Sequence, residues 1–141
     1  MIKEKNIAIN YYHLSPYSNI KIAIPKVSPI APSFEDTTTP RVCFSYSIDL
    51  CLSALQPCCK VLYVYTPDDM EEFLENMYKP KIYQVRDCKE TGEVWIKKKI
   101  KVKCIGKIRV GPTVPLLEKK CKNYKGTFYL IKYRWEWLEK Y

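Results

Sequence analysis

The feature that most constrains the fold is a short apolar segment that passes directly into a helical pattern at residues 41–55. Ser47 is a favourable N-cap, because its hydroxyl can accept a hydrogen bond from a backbone N–H of the first helical turn. Asp49 places a negative charge in that turn, at the positive end of the helix dipole. The apolar positions that share one helical face are Ile48, Cys51, Leu52 and Leu55. We therefore expect a buried strand that runs straight into an amphipathic helix.

Elsewhere the chain alternates strand patterns with turn signals. Strands are predicted at residues 7–12, 61–65, 82–86, 93–96, 100–104 and 107–110, a last strand or short helix at 129–137, and loops at 20–40 and 111–126. Thr66 and Pro67 predict the start of a second helix, as its cap and first residue. Gly106 predicts a β-bulge. The whole pattern predicts an α+β single domain over residues 1–141, with a mainly antiparallel sheet and two helices.

Positive charge is concentrated in the C-terminal third. The formal net charge is +9, and residues 94–141 carry 14 basic and 3 acidic side chains against 10 and 12 in residues 1–93. A concentrated cationic surface suits a phosphate-bearing partner. A solvated, lysine-rich strand face is the alternative explanation.

Composition disfavours several kinds of site. None of the seven cysteines has ligand spacing and there is one histidine, so no metal site is predicted. Only four glycines are present, and they form no phosphate-binding loop, dinucleotide fingerprint or nucleophile elbow. The longest clean apolar run, at residues 61–65, is too short to cross a bilayer, and no signal-peptide pattern is found. We expect a cytoplasmic protein with reduced thiols and no membrane contact.

Three segments resemble, in order, motifs of the ADP-ribosyltransferase fold. Residues 12–16 (YHLSP) are similar to the first motif, whose strand-end histidine holds the NAD ribose. Residues 42–47 (VCFSYS) resemble the second, a strand that lines the nicotinamide pocket. Residues 93–96 (EVWI) resemble the third, in which a glutamate bonds a ribose hydroxyl. The resemblance implies an ADP-ribosyltransferase-like core with His13 and Glu93 at the ligand.

Two positions depart from that motif set. Where the histidine–tyrosine–glutamate branch has a tyrosine that stacks on nicotinamide, this chain has Cys43. Where a glycine commonly follows the motif histidine, it has Leu14. A pocket can keep its ribose and phosphate contacts after losing its chemistry, so the departures favour binding over glycosyl transfer.

The size, the basic C-terminal third and the twelve tyrosines also resemble the first Thoeris anti-defence family of phages. Members of that family are oligomeric sponges that sequester cyclic ADP-ribose signals, and some also bind cyclic oligonucleotides. The resemblance implies a homo-oligomer that holds such a signal without degrading it.

An ADP-ribose unit offers an adenine ring, ribose hydroxyls and a diphosphate. Arg109 is the first choice for the diphosphate, because it lies on a predicted strand of the basic third and can bind bidentately; Arg41 and Arg86 follow. Tyr83 and Phe44 are candidate stacking rings. Surface ion pairing is the alternative for the arginines, and burial in the core for Phe44. The predicted ligand-binding set is His13, Arg41, Phe44, Ser45, Tyr83, Arg86, Glu93 and Arg109.

Three functions remain open from the sequence. The first is a phage or prophage protein that sequesters a cyclic ADP-ribose isomer, with no cofactor. The second is an active ADP-ribosyltransferase that uses NAD to modify a host protein or nucleic acid, with His13 and Glu93 in the catalytic roles. The third is a nucleic-acid binder that uses residues 97–109, whose affinity would fall steeply with salt.

Overall fold

The computed structural model describes residues 10–27, 35–55, 61–111 and 117–141. Within these ranges the protein is a mixed α+β structure with mainly antiparallel sheets, as predicted, and it has three helices rather than two. The helices are α1 (Ile48–Leu55), α2 (Met70–Asn76) and the single turn α3 (Cys88–Thr91). The strands are β1 (His13–Ser15), β2 (Ile22–Ala23), β3 (Val42–Phe44), β4 (Val61–Pro67), β5 (Met77–Tyr78), β6 (Val94–Ile96), β7 (Ile100–Val110), β8 (Leu117–Asn123), β9 (Gly126–Lys132) and β10 (Trp135–Lys140).

The largest sheet is built around β7. Its strands run in the order β1-β4-β7-β10, and β2 also pairs with β7. The predicted bulge is confirmed, because Val64 lies opposite Gly106 whereas the next residue, Tyr65, lies opposite Cys104. One extra residue in β7 reverses the face on which its later side chains lie.

Two apolar clusters consequently pack on opposite faces of this sheet. Val64 belongs to a cluster covered by α1, together with Leu52 and Ile108. Tyr65, its neighbour on the other face, belongs to a second cluster. That second cluster is closed by α2 and by the small sheet β3-β6-β5, whose inward residues include Val42, Phe44, Val94 and Ile96.

The strand–helix junction forms as the sequence predicts. Ser47 Oγ accepts a hydrogen bond from the backbone N–H of Leu50 at 3.0 Å, which caps α1. Asp49 also makes a hydrogen bond that the sequence did not show: its Oδ1 accepts from Trp135 Nε1 at 2.9 Å. The predicted apolar face is buried except for Leu55, the last residue of the helix, which is exposed.

The start of α2 differs from the prediction. Thr66 and Pro67 continue the pairing of β4 with β7, so the assignment of Thr66 as a helix cap is wrong. Asp69 is the N-cap instead, and its Oδ1 accepts from the backbone N–H of Glu72 at 3.2 Å. The ladder to β7 pairs Thr66 with Lys103, and an early helix start would break this pairing.

Three further strand and loop assignments change. Residues 82–86 form turns, because Gln84 bonds locally: its backbone N–H donates to Lys81 O at 2.8 Å and its Oε1 accepts from Tyr78 Oη at 2.8 Å. The predicted loop at 111–126 contains β8, which pairs with β9 in a two-stranded hairpin, although 112–116 lie outside the described residues. The segment at 129–137 spans the end of β9 and the start of β10, both strands.

The N-terminal prediction is tested only in part. Residues 7–9 lie outside the described ranges, and β1 begins at His13 rather than ending before it. In the predicted loop at 20–40, β2 and a bridge between Lys26 and Arg41 are present, and 28–34 are not described. No helix in the described ranges is long and apolar enough to span a membrane.

Candidate functional site

The three motif segments meet where β1, β3 and β6 come together. β3 pairs with β6, and Tyr12 bridges Ser45. His13 Nδ1 lies 2.9 Å from the carbonyl oxygen of Cys43, and because a carbonyl can only accept, this nitrogen carries the proton. The Cys43 thiol in turn donates to Glu93 Oε2 at 3.6 Å. His13, Cys43 and Glu93 are therefore adjacent, as the order of the motifs predicts.

Burial shifts the ionisation of all three groups toward their neutral forms. It lowers the pKa of His13, and the bond to the Cys43 carbonyl opposes this only in part. Burial also raises the pKa of Glu93, against the hydrogen bond that Trp95 Nε1 donates to its Oε2 at 2.7 Å. Desolvation by the surrounding protein and the charge of Glu93 raise the pKa of Cys43, although the residue is partly exposed at the surface, and this favours its thiol over the thiolate nucleophile.

Arg41 is a structural residue, which corrects its assignment to a diphosphate. It is 7% exposed, and its Nη1 donates to Asp36 O at 2.8 Å and Thr39 O at 3.0 Å. Its guanidinium lies 4.4 Å from the Trp95 ring centroid. Its Nη2 is 3.9 Å from Glu35 Oε2, so the charge and the donors of Arg41 are satisfied inside the protein.

Glu35 is a second carboxyl beside the motif residues, and sequence reasoning missed it. Burial raises the pKa of Glu35 to about 7, and the negative charges of Glu93 and Asp87 add to the effect. Arg41 and Arg86 oppose it. No sequence pattern identifies Glu35 as a site residue, because it lies in a loop whose path depends on the β-bridge between Lys26 and Arg41.

Phe44 and Ser45 also prove structural. Phe44 is 1% exposed and packs edge-on against Phe73 in the core, so its ring offers no face to a ligand. Ser45 is 2% exposed, and its hydroxyl donates to Thr91 O at 2.9 Å, which ties β3 to α3. The alternation of a three-residue strand cannot show from sequence alone which of its side chains point inward.

The remaining predicted residues lie apart from the motif cluster or have other partners. Tyr83 is exposed on the turn that precedes α3. Arg86 lies over the Phe128 ring with its Cζ 5.8 Å from the centroid. Arg109 is exposed on β7, opposite Val61.

The register shows how far Arg109 lies from the motif residues. His13 pairs with Tyr65 and Arg109 with Val61, four residues away on the same strand. Four residues of strand span roughly 13 Å. The structure therefore does not bring Arg109 to the motif cluster.

A cleft of about 570 Å³ opens beside the second and third motif segments, which contribute Tyr46, Glu93 and Val94 to its wall. That volume is typical of sites for small molecules. Tyr11, next but one to His13, and Tyr46, which follows Ser45, form part of its wall. Glu93 lines it as well and is the one predicted ligand-binding residue of the eight that does so.

The rest of the cleft wall is basic and aromatic. Lys79 and Lys81 line it from the segment between β5 and α3, Lys89 lines it from α3, and Tyr124 lines it from the turn of the β8–β9 hairpin. Lysine ammonium groups bind phosphate as point charges, and tyrosine rings provide stacking surfaces. One weak signal for this set is present in the sequence, the segment at residues 79–81 (KPK), but it predicted only the end of a helix.

Gly92 fixes the ring of Tyr46 in the cleft wall. Gly92 has φ +68°, a left-handed conformation that glycine adopts readily, and its N–H donates to Cys88 O at 3.0 Å to close α3. A Cβ at this position would overlap the Tyr46 ring. The close approach holds the ring beside Glu93, the next residue along the chain.

In the part of the chain that the structure describes, no group of three or more side chains could hold a metal ion. No family model, no curated protein and no solved structure matches this chain. Its function is therefore inferred from the residues of the cleft and the motif cluster.

Proposed function

We propose that the protein binds a cyclic ADP-ribose-type nucleotide in this cleft and holds it without degrading it, as a phage or prophage anti-defence protein in an infected bacterium. One observation carries the proposal: a 570 Å³ cleft combines three lysines and three tyrosines with Glu93, the glutamate of the third motif segment. An ADP-ribosyltransferase-like core that has kept its ligand contacts is part of the proposal.

The chemistry of the cleft matches the parts of such a nucleotide. Lys79, Lys81 and Lys89 neutralise a diphosphate, which binds basic groups through charge-assisted hydrogen bonds. The rings of Tyr46 and Tyr124 offer faces on which adenine stacks. The Glu93 carboxyl accepts hydrogen bonds from ribose hydroxyls.

Retention without turnover follows from the motif cluster. The position of the nicotinamide-stacking tyrosine is occupied by Cys43, whose pKa is raised, so that it supplies neither a ring nor a thiolate. Phe44 is packed in the core and cannot replace the ring. His13 does not line the cleft, and its Nδ1 donates to the carbonyl oxygen of Cys43 on β3.

Titration calorimetry with a cyclic ADP-ribose isomer tests the proposal. We expect measurable heat at micromolar protein for the wild type, and a roughly tenfold or greater loss of affinity when Lys81→Gln and Lys89→Gln are combined, since each lost charge-assisted contact costs about 1 kcal/mol or more. The matched control combines Lys101→Gln and Lys103→Gln, two exposed lysines of β7 that remove the same charge elsewhere. No heat for the wild type, or equal losses in both variants, would refute binding in the cleft.

The alternative function, an active ADP-ribosyltransferase that consumes NAD, rests on Tyr46. Its ring lies in the cleft wall beside Glu93 and offers a stacking surface three residues after Cys43. This alternative predicts that the protein releases nicotinamide from NAD and labels a host component. It also predicts that Glu93→Gln abolishes both, whereas sequestration predicts no nicotinamide release by either protein.

A further inference from the structure

The β8–β9 hairpin presents a second basic surface, distinct from the cleft. The strand register sets Lys120 directly opposite Tyr129 and puts Lys122 on the same face. Phe128, the residue before Tyr129, points to the opposite face and is 3% exposed. That opposite face packs on the protein, since Asn123 Nδ2 donates to Arg86 O at 2.7 Å. The face that carries Lys120, Lys122 and Tyr129 therefore points away; we call it the outward hairpin face.

The outward hairpin face is exposed and carries an excess of positive charge, although Glu118 lies on it two residues from Lys120. Lys120 and Lys122 are exposed, and Tyr129 is 46% exposed. Residues 117–132 contain five lysines and one glutamate, a net charge of +4. None of the ion pairs found in the described ranges involves a lysine of this hairpin. A polyanion therefore gains attraction here without displacing an ion pair among the described residues.

The spacing of these groups matches a single strand of nucleic acid. Lys120 and Lys122 are two residues apart on one strand, so their side chains start about 7 Å apart. Tyr129 lies across from Lys120, which places an open ring beside the charges. Single-stranded sites combine cations that contact the backbone with aromatic rings on which bases stack. A duplex keeps its base faces stacked inside the helix and therefore offers no base to the ring.

We propose that the outward hairpin face binds single-stranded nucleic acid, with Tyr129 stacking on a base and Lys120 and Lys122 contacting neighbouring phosphates. This surface is separate from residues 97–109, where the basic pattern of the sequence pointed. It is also independent of nucleotide binding in the cleft, because the two sites use different lysines.

Fluorescence anisotropy of the full chain with labelled oligonucleotides of about 12 nucleotides tests this proposal, because single-strand sites cover about 4–16 nucleotides. The probes are single-stranded DNA, single-stranded RNA and a duplex of equal length. We expect one or both single strands to bind more tightly than the duplex. The double variant Lys120→Gln with Lys122→Gln should weaken binding about tenfold and lower the slope of log affinity against log salt by about 1.4. Tyr129→Leu should weaken binding about fivefold by removing the stacking face.

Two control variants locate the binding surface. The β7 pair Lys101→Gln with Lys103→Gln removes the same charge with the same two-residue spacing, and the pair Lys81→Gln with Lys89→Gln removes it from the cleft. Both should change affinity less than twofold, and thermal melting should show every variant folded. Duplex binding equal to single-strand binding, equal losses in a control pair, or no binding at about 10 μM protein would each overturn the proposal. Heat with the nucleotide and no oligonucleotide binding would leave the cleft proposal standing and refute this one.

Discussion

Burial and internal hydrogen bonds determine which charged residues near the cleft are available to a ligand. Arg41 is buried, and its Nη1 donates to Asp36 O and Thr39 O while its guanidinium lies over the Trp95 ring. The outcome is a fixed positive charge that holds Glu35 near Glu93. Two carboxyls therefore share one partly buried region, and like-charge repulsion from Glu93 adds to the raised pKa of Glu35.

The titration of Glu35 gives a test at this scale. Its folded pKa of about 7 exceeds the ordinary value of 4.5. Between these two pH values, the folded protein therefore holds a proton that the unfolded chain has released. Stability from this group is present below the unfolded pKa and is lost as the pH rises through the folded one. Glu93 and Asp87 strengthen the shift, and Arg41 and Arg86 weaken it.

We therefore expect the free energy of unfolding of the wild type to fall between about pH 5 and about pH 8 by about 1–2 kcal/mol more than that of Glu35→Gln, after allowing for solvent screening. Urea unfolding of both proteins at both pH values measures this difference. The lowered pKa of His13 changes stability in the opposite direction, but it acts in both proteins and cancels. An identical pH dependence in the two proteins would show that Glu35 does not titrate in this range.

At the scale of elements, the bulge at Gly106 determines where both cores lie. Without the extra residue in β7, Ile108 and Val110 would lie on the same face as Ile100 and Val102, away from the cluster covered by α1. Gly106 has φ +152°, and a Cβ there would overlap the Glu139 carbonyl oxygen and lie 2.8 Å from the Trp137 ring. β10 can approach β7 this closely only because the position has no side chain.

Gly106→Ala should consequently cost about 3 kcal/mol, from overpacking added to an unfavourable backbone conformation. Gly111→Ala is the matched control, since Gly111 has a similar φ of +154° and a Cβ added there would meet no atom of the described residues within 4 Å. It should cost about 1 kcal/mol, the backbone contribution alone. Urea unfolding midpoints of the two variants measure the difference, and equal losses would show that contact with β10 does not matter.

Local signals made some elements predictable and others not. The start of α1 is recognisable because its cap, Ser47, and its buried face are all within one segment. The bulge is recognisable because Gly106 interrupts a clear alternation. β8 was missed because its residues are mostly lysines and other exposed side chains on both faces, so the strand carries no apolar period. The turns at 82–86 were missed because Gln84 makes hydrogen bonds that only the folded chain reveals.

The candidate site, too, was predictable from the sequence only in part. The resemblance to three ordered motifs of one pocket predicted that His13, Cys43 and Glu93 lie together, because each of the three segments contains one of these residues. The lysines of the cleft could not be predicted, since all three come from residues 1–93, the part of the chain with a net acidic charge. The charge of the basic third favoured Arg109 instead, which the register of β7 sets about 13 Å along the sheet from His13.

At the scale of the whole molecule, positive charge is distributed between two different surfaces. The cleft has lysines, tyrosine rings and one carboxyl around a volume suited to a small nucleotide. The outward hairpin face is open and carries lysines beside an exposed ring, which suits an extended chain. The two surfaces approach each other at the hairpin turn, where Tyr124 lines the cleft.

Mass spectrometry of the ligand recovered from the protein tests the central claim most directly. The protein is equilibrated with a cyclic ADP-ribose isomer, separated from free ligand by gel filtration and denatured, and the released small molecules are identified and counted. Sequestration predicts the intact cyclic nucleotide, in a fixed ratio to the chain and reduced when Lys81→Gln and Lys89→Gln are combined. Recovery of linear ADP-ribose, or of no nucleotide at all, would contradict it.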